Sequence, residues 1–411
     1  MTKKRIVILS VTAVVIIMLG CWVKSRMGAW FHNPEEPSYN ASTIPSRILL
    51  TFGNNGERSR ILSWQYDSIP TSGWVELITD DDTIRIEANV RQVVSQGGKS
   101  VYYQAQLNDL LWNTGYQYRV NHPSVKSDFF RFSMPDSLSR GFSFIYIGDV
   151  QDTINGIFPE IMQHIRRKNP DVQFYLFGGD LIERSHDRYW NEFFSSMDSV
   201  SQTTPIVAVP GNHEYIKGLS GYLEERFALV FPYFQHKVAG DANHVFTFNY
   251  KDAQFFLLDS NKGILNLFEQ RKWLRRELEQ STARWKIVVL HHPVYSIRGR
   301  INNLFIRMLF NPVVKKFGAD LILQGHEHGY ARMADGDSRA PLYIISHNSP
   351  KTYKHTLNNK IQKYAKDSRY YQRIDIGMDT LKLRVFDLQD SLIDKVDVVY
   401  GSTFIWQDEK K

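Results

Sequence analysis

Five short runs constrain this chain more than anything else in it. They are Gly148-Asp149-Val150-Gln151, Gly179-Asp180-Leu181-Ile182-Glu183, Gly211-Asn212-His213-Glu214, Val288-Val289-Leu290-His291 and Gly325-His326-Glu327-His328. Each combines metal-binding oxygen or nitrogen with a tight turn or a strand end. Apolar stretches of strand character lead into them at 144–147, 174–177, 206–209, 287–290 and 321–323. The pattern predicts an α/β fold whose polar ligands gather just past the carboxyl ends of strands, where open α/β sheets bind their ligands. One such run says little, but five in this order are not a chance assembly.

The chemistry that needs this set is hydrolysis at phosphorus. Cleaving a phosphate ester at neutral pH calls for a hydroxide nucleophile and for charge to offset the phosphoryl oxygens, and two metal ions about 3.5–4 Å apart supply both. Asp180 is the candidate bridge between them. Asp149 and His328 are assigned to metal one, and Asn212, His291 and His326 to metal two. His213, next to ligand Asn212, is the candidate catalytic residue, placed to touch substrate rather than metal, with Glu214 as a local partner.

The chain has 411 residues, enough for two domains and a tail. Residues 24–46 hold three prolines and no apolar period and read as a linker. Seven strands are expected at 48–52, 59–66, 73–79, 83–94, 100–107, 116–121 and 129–133, which makes 47–135 an all-β sandwich. After a junction at 135–140, strands alternate with helical stretches at 158–168, 270–279 and 303–317. A closing hairpin is expected at 381–388 and 392–399, so that 140–400 forms the catalytic domain.

These blocks resemble the calcineurin-like metallophosphoesterases, and within them the purple acid phosphatases. The similarity takes in Gln270, Trp273 and Leu274, the His291-His292-Pro293 block with Tyr295 and Ser296, the hairpin from Val245 to Ser260, and Tyr330 and Arg332 after the last block. The stretch through Leu107, Leu110, Trp112 and Thr114 to Tyr116 looks like the corner of a fibronectin type III-like domain, with Tyr116 as its tyrosine corner and Trp64 in its core. The resemblance implies a four-layer α/β/β/α catalytic domain with the metals at one sheet edge. It also implies substrate contacts from His292, Arg298 and Arg300, the two arginines standing where relatives carry substrate-binding histidines. Two positions depart from the pattern. The superfamily's His two residues after the first Asp is Gln151 here, and the purple branch's Tyr three residues after the second Asp is Glu183. Gln151 and Glu183 are therefore either extra ligands of metal one or neighbours of its ligands. Without a tyrosine ligand the metals are expected to be two divalent ions, with iron, zinc and manganese all open, and no purple colour.

Composition narrows the partners. Net charge is +7, and Lys3, Lys4, Arg5, Lys24 and Arg26 flank the first apolar run, so no nucleic-acid footprint remains in the rest. Residues 6–23 carry no charge and are just long enough to cross a bilayer core. A signal anchor, a lipoprotein cleaved before Cys21, and a simply cleaved signal all stay open. The first two tether the enzyme outside the cytoplasm, in a bacterial periplasm or at a cell surface. Cys21 is the single cysteine, so no intramolecular disulfide forms. The expected function is a dinuclear metal-dependent phosphoester hydrolase of acid phosphatase type. A hydroxide bridging the two metals attacks phosphorus in a phosphorylated small molecule or polymer. A phosphodiesterase on the same scaffold, and a non-catalytic surface binding protein with a degraded metal site, are the alternatives.

Overall fold

The computed structural model describes residues 31–401 except 54–55, 80–81, 198, 219–220, 233–244, 300–301 and 336–340, together with scattered positions before 31. Two four-stranded antiparallel sheets come first. One runs in the order Ser46–Phe52, Arg60–Gln65, Lys99–Leu107, Asn89–Val94, and the other Thr83–Glu87, Trp74–Ile78, Gly115–Asn121, Phe130–Ser133. Their facing side chains, among them Leu62, Trp64, Val75, Tyr103 and Tyr118, form one closed core. The Leu111 backbone N–H donates to the Tyr116 hydroxyl at 2.7 Å, which fixes the corner expected there. The single strand expected at 83–94 is two. Ala88 turns out to bond the Gly73 carbonyl, and the strands on its two sides pair into opposite sheets.

The catalytic domain packs two sheets face to face. The six-stranded sheet runs Ile206–Ala208, Phe174–Phe177, Phe142–Ile147, Tyr371–Ile376, Thr380–Phe386, Leu392–Val399, its first three strands parallel. The seven-stranded sheet runs Phe246–Tyr250, Ala253–Leu258, Trp285–Leu290, Leu321–Gln324, Leu342–Ile345, Tyr330–Met333, Ile361–Ala365. The period of two along a strand sorts side chains between layers. Phe255, Leu257, Val289 and Leu323 point between the sheets, where Phe248 and Phe255 stack at 4.7 Å. Phe256, Leu258, Val288 and Ile322 point outward onto helices Ile264–Gln280 and Leu304–Lys316. Helices Phe158–Lys168 and Asp187–Met197 cover the other outer face. The result is the expected α/β/β/α order. Helix Asp187–Met197 was not legible as a helix, because its aromatic residues also fit a strand.

Packing joins the sandwich to the catalytic domain. Every residue of strand Arg60–Gln65 is buried, and Phe52 stacks on Phe248 at 4.5 Å. Across the junction lies a buried ion cluster. Arg47 holds Asp187 with two 2.8 Å bonds, and Arg226 bonds Glu36 at 2.8 Å and Glu224 at 2.7 Å. Glu36 belongs to the irregular segment before the sandwich, and it also accepts the Asp187 and Gly97 backbone N–H groups. That segment is thereby bonded to both domains. Removing one partner of a buried ion pair typically costs about 3–5 kcal/mol, because the other charge is left uncompensated. Arg226→Met, which strands Glu36 and Glu224, is expected to lower unfolding stability on that scale in urea titration; an unchanged midpoint would contradict a structural role for the cluster.

Candidate metal centre

The five runs meet where the carboxyl ends of the two sheets face each other. Asp149, Asp180 and Asn212 follow strands of the six-stranded sheet, and His291 and His326 follow strands of the seven-stranded sheet. Four of these ligand candidates lie in the left-handed region: Asp149 at φ 45, Asp180 at 53, His326 at 72 and His328 at 49. Asp and His are among the side chains that tolerate it, and such a concentration marks a site where the surroundings impose the backbone. A Cβ at residue 211 would lie 2.1 Å from Asp180 Oδ1, so glycine there lets the Asn212 loop close on the carboxylate.

One ligand set is already assembled. His291 Nε2 lies 3.3 Å from Asp180 Oδ2 and 3.3 Å from Asn212 Oδ1. His326 Nδ1 lies 2.9 Å from Asn212 Oδ1 and 3.3 Å from His291 Nε2. The Nδ1–H of His291 is committed to the Gly178 carbonyl at 2.8 Å, so Nε2 is the atom it turns toward the oxygens of Asp180 and Asn212. Acceptors crowd this way around a cation. Bonds of about 2.0–2.1 Å in a tetrahedral shell separate ligand atoms by about 3.3–3.4 Å, which matches the three distances at 3.3 Å, the His326–Asn212 contact being shorter. Burial works to lower the His291 pKa, yet Asp180 and then Asp149 raise it to about 10. The pocket is built to hold positive charge. Among the described residues, Asp180, His291 and His326 form the one group of three or more His, Cys or acidic side chains whose ligand atoms all lie within 4.8 Å.

The second position is lined differently. Asp149 is fully buried; its Oδ1 accepts the His326 N–H at 2.8 Å, and its Oδ2 has no protein partner. Burial, with Asp180 adding, pushes its pKa well up, and His291 pulls the other way. A cation between Asp149, Asp180 and His328 supplies what that oxygen lacks, so the residues fit a second divalent ion. His328 donates from Nδ1 to the Lys351 carbonyl at 3.0 Å and so presents Nε2. Gln151 does not offer its oxygen to this position. Its Nε2 lies 2.6 Å from His328 Nε2, and its Oε1 lies 3.5 Å from Lys351 Nζ. Glu183 pairs with Lys351 at 2.6 Å.

His213 anchors Nδ1 on the Glu183 carbonyl at 2.5 Å and brings Nε2 to 3.9 Å from Asp180 Oδ2. Together with Asn212 it lines a cavity of about 520 Å³ whose far walls are Asn33, Pro34, Ser95 and Lys217. His292 packs its ring 4.2 Å from that of His326, and Ser260 Oγ lies 3.0 Å from its Nδ1. Burial and the adjacent His291 lower its pKa to about 3. Arg298 lies over the Tyr353 ring at 4.1 Å, and Tyr353 in turn packs 4.3 Å from the His328 ring. Arg300 falls outside the described residues.

Glu214 is not a partner of His213. Its carboxylate accepts four backbone N–H groups: Gly211 at 2.6 Å, Leu181 at 2.7 Å, Asp180 at 3.0 Å and Ile182 at 3.2 Å. It thus ties the loop of Asp180 to the loop of Asn212. The sequence signal was an acid two residues past Asn212 with no ligand role, and only the fold shows what it bonds. Partners that orient metal ligands typically cost about 10–100-fold in metal affinity or activity when mutated. Glu214→Gln, which puts an amide N–H against backbone donors, is expected to weaken metal binding by that factor in calorimetric titration; unaltered affinity would remove this role.

Comparison with known proteins places the chain. Residues 142–330 match the calcineurin-like phosphoesterase family, and residues 45–134 match the purple acid phosphatase N-terminal domain. Fe(3+)-Zn(2+) purple acid phosphatase 12 of Arabidopsis thaliana is 25% identical over 339 residues, spanning 73% of this chain and 71% of that protein. Purple acid phosphatase 1 of Ipomoea batatas is 25% identical over 316 residues, spanning 72% of this chain and 65% of the relative. Purple acid phosphatase PPD1 from yellow lupin (Lupinus luteus) seeds superposes with a TM-score of 0.75 at 14% identity, over 87% of this chain and 74% of that one. PhoD superposes with a TM-score of 0.59 at 14% identity, over 88% and 90%. The chain therefore joins a calcineurin-like phosphoesterase domain, the domain of metal-dependent hydrolases of phosphoester bonds, to a purple acid phosphatase N-terminal domain.

Proposed function

We propose that this enzyme hydrolyses phosphomonoesters, using two divalent ions held by Asp149, Asp180 and His328 on one side and Asp180, Asn212, His291 and His326 on the other. The observation that carries the reading is the four-atom cluster of ligand atoms around Asp180 Oδ2, spaced for a divalent ion. With Glu183 neutralised by Lys351, two divalent ions exceed the charge of Asp149, Asp180 and one hydroxide by one, a surplus that attracts a phosphate ester without over-binding it. When bound, the ions polarise the phosphoryl oxygens and make water acidic enough to attack at neutral pH. The protein positions the rest. Glu214 and Gly211 keep Asp180 and Asn212 in register, Arg298, held over the Tyr353 ring, is the candidate cation for phosphate, and the cavity beside His213 receives the leaving group. With Nδ1–H committed to Glu183, His213 Nε2 is the atom that holds a proton for the leaving oxygen. The names of the relatives, all phosphatases, support this choice over the diesterase.

The N-terminus is proposed as a membrane tether. Val14, Ile16, Ile17 and Met18 lie on a helical stretch with 54–63% exposure, which suits lipid contact. Among the described residues no helix is long and apolar enough to cross a membrane, and most of residues 1–23 lie outside them. The exposed Cys21 keeps lipid attachment open. The Tyr116 corner supports a fibronectin type III-like origin for the sandwich. Recovery of the enzyme in salt-washed membranes is expected; recovery in the soluble fraction would overturn the tether.

Turnover separates the readings. A chromogenic monoester is expected to be cleaved faster than the matching diester after loading with Mn²⁺ or Zn²⁺. His213→Ala should lower that rate by about 10²–10⁴, the range for general acid–base catalysis, with metal content unchanged. Faster diester cleavage would favour the phosphodiesterase, and loss of metal in His213→Ala would make the residue a ligand.

A further inference from the structure

The two metal positions are not equivalent, and the difference lies in one loop. Lys351 Nζ sits 2.6 and 2.8 Å from the two Glu183 oxygens and 3.5 Å from Gln151 Oε1. Its own carbonyl accepts the Nδ1–H of His328. With Nδ1 committed, His328 Nε2 is an acceptor, and the Gln151 amide N–H, 2.6 Å away, fills it. The ammonium draws the amide oxygen the other way, which fixes this orientation of Gln151. The lone pair that metal one needs from His328 is thus already engaged, the Gln151 oxygen is turned aside, and the additional carboxylate at this end, Glu183, is held by a lysine. At metal two the four ligand atoms already converge, and among the described residues no lysine bonds any of them.

We propose that Lys351 sets the affinity of metal one, making it the weak, late-filling site, while Asp180, Asn212, His291 and His326 form the tight site. Metal one must break the Gln151–His328 bond and accept an ammonium as near neighbour. Glu183 tempers that ammonium and becomes available to the metal only when it is released. This inference rests on the dinuclear metallophosphoesterase reading above. Lys351 acts here as a positioning residue, through Gln151, Glu183 and His328.

The two ends of the ion pair give opposite signs, which separates this role from a merely structural one. Metal-free full-length enzyme in detergent is titrated with Mn²⁺ by calorimetry. Two sites are expected, the second at least about tenfold weaker, since one nearby charge shifts a binding equilibrium by about 10–1,000-fold. Lys351→Met removes the charge and frees Glu183, and should tighten the weaker site by about 10–100-fold on the same basis. Glu183→Gln leaves the ammonium unpaired and should weaken that site further. Lys351→Arg keeps the charge and should behave like the parent. If Lys351→Met does not fold, the weakening in Glu183→Gln against the parent still decides the matter. Equal affinities in the parent, or both substitutions moving the weaker site the same way, would overturn the inference while leaving a metalloenzyme in place. A protein that binds no Mn²⁺ at all would overturn the metallophosphoesterase reading, and this inference with it.

Discussion

The carboxylate of Asp180 is where the two catalytic sheets are made to agree. It grows from the six-stranded sheet, in a left-handed turn after Gly179, and its Oδ2 meets His291 from the seven-stranded sheet at 3.3 Å. Its Oδ1 accepts the His213 backbone N–H at 2.9 Å. Burial works to raise its pKa, but the charges of His291 and His213 beside it hold the group well below the usual carboxylate range. An ionised carboxylate in so dry a place needs compensation from every side, and the surrounding loops are arranged to give it. Glu214 fixes the backbone on both of its flanks, Gly211 leaves room for its oxygen, and the sheet-to-sheet core of Phe144, Phe174, Phe248 and Phe255 sets the distance across which it reaches. A shift of either sheet would separate the acceptors that the metal joins.

Much of this was legible in the sequence because short polar runs after apolar strands are a local signal. The strand ends, the order of the ligands, the sandwich before them and helix Phe158–Lys168 all follow from patterns a few residues long. What was not legible depends on contacts between distant segments. Nothing local marks Ala88 as a crossing between sheets, since the residues on both of its sides have strand character. Nothing in Gly211-Asn212-His213-Glu214 shows that the acid turns back onto the loop of Asp180, more than thirty residues earlier. The partner of Glu183 is a lysine 168 positions away in sequence, and nothing in the run around Glu183 points to it.

The same long-range logic gives the N-terminal domain its place. A linker and a sandwich read from composition alone would be a spacer. Instead Glu36, Arg47, Asp187, Glu224 and Arg226 share one buried cluster, and Asn33 exchanges two 2.8 Å bonds with Lys217 beside the cavity that His213 lines. The wall of the proposed leaving-group pocket is therefore built partly by residues that precede both domains. A phosphoester with a bulky leaving group would meet this wall, while the phosphoryl group meets the metals.

The central claim is that the convergent acceptors around Asp180 hold a metal, with a second ion at Asp149 and His328. Anomalous diffraction from crystals grown with excess Mn²⁺ measures this directly. A strong peak about 2.0–2.2 Å from Asp180 Oδ2, Asn212 Oδ1, His291 Nε2 and His326 Nδ1 is expected, with a second one about 3.5–4 Å away beside Asp149. A map with no anomalous density between those four atoms would contradict the dinuclear site and the hydrolytic function built on it.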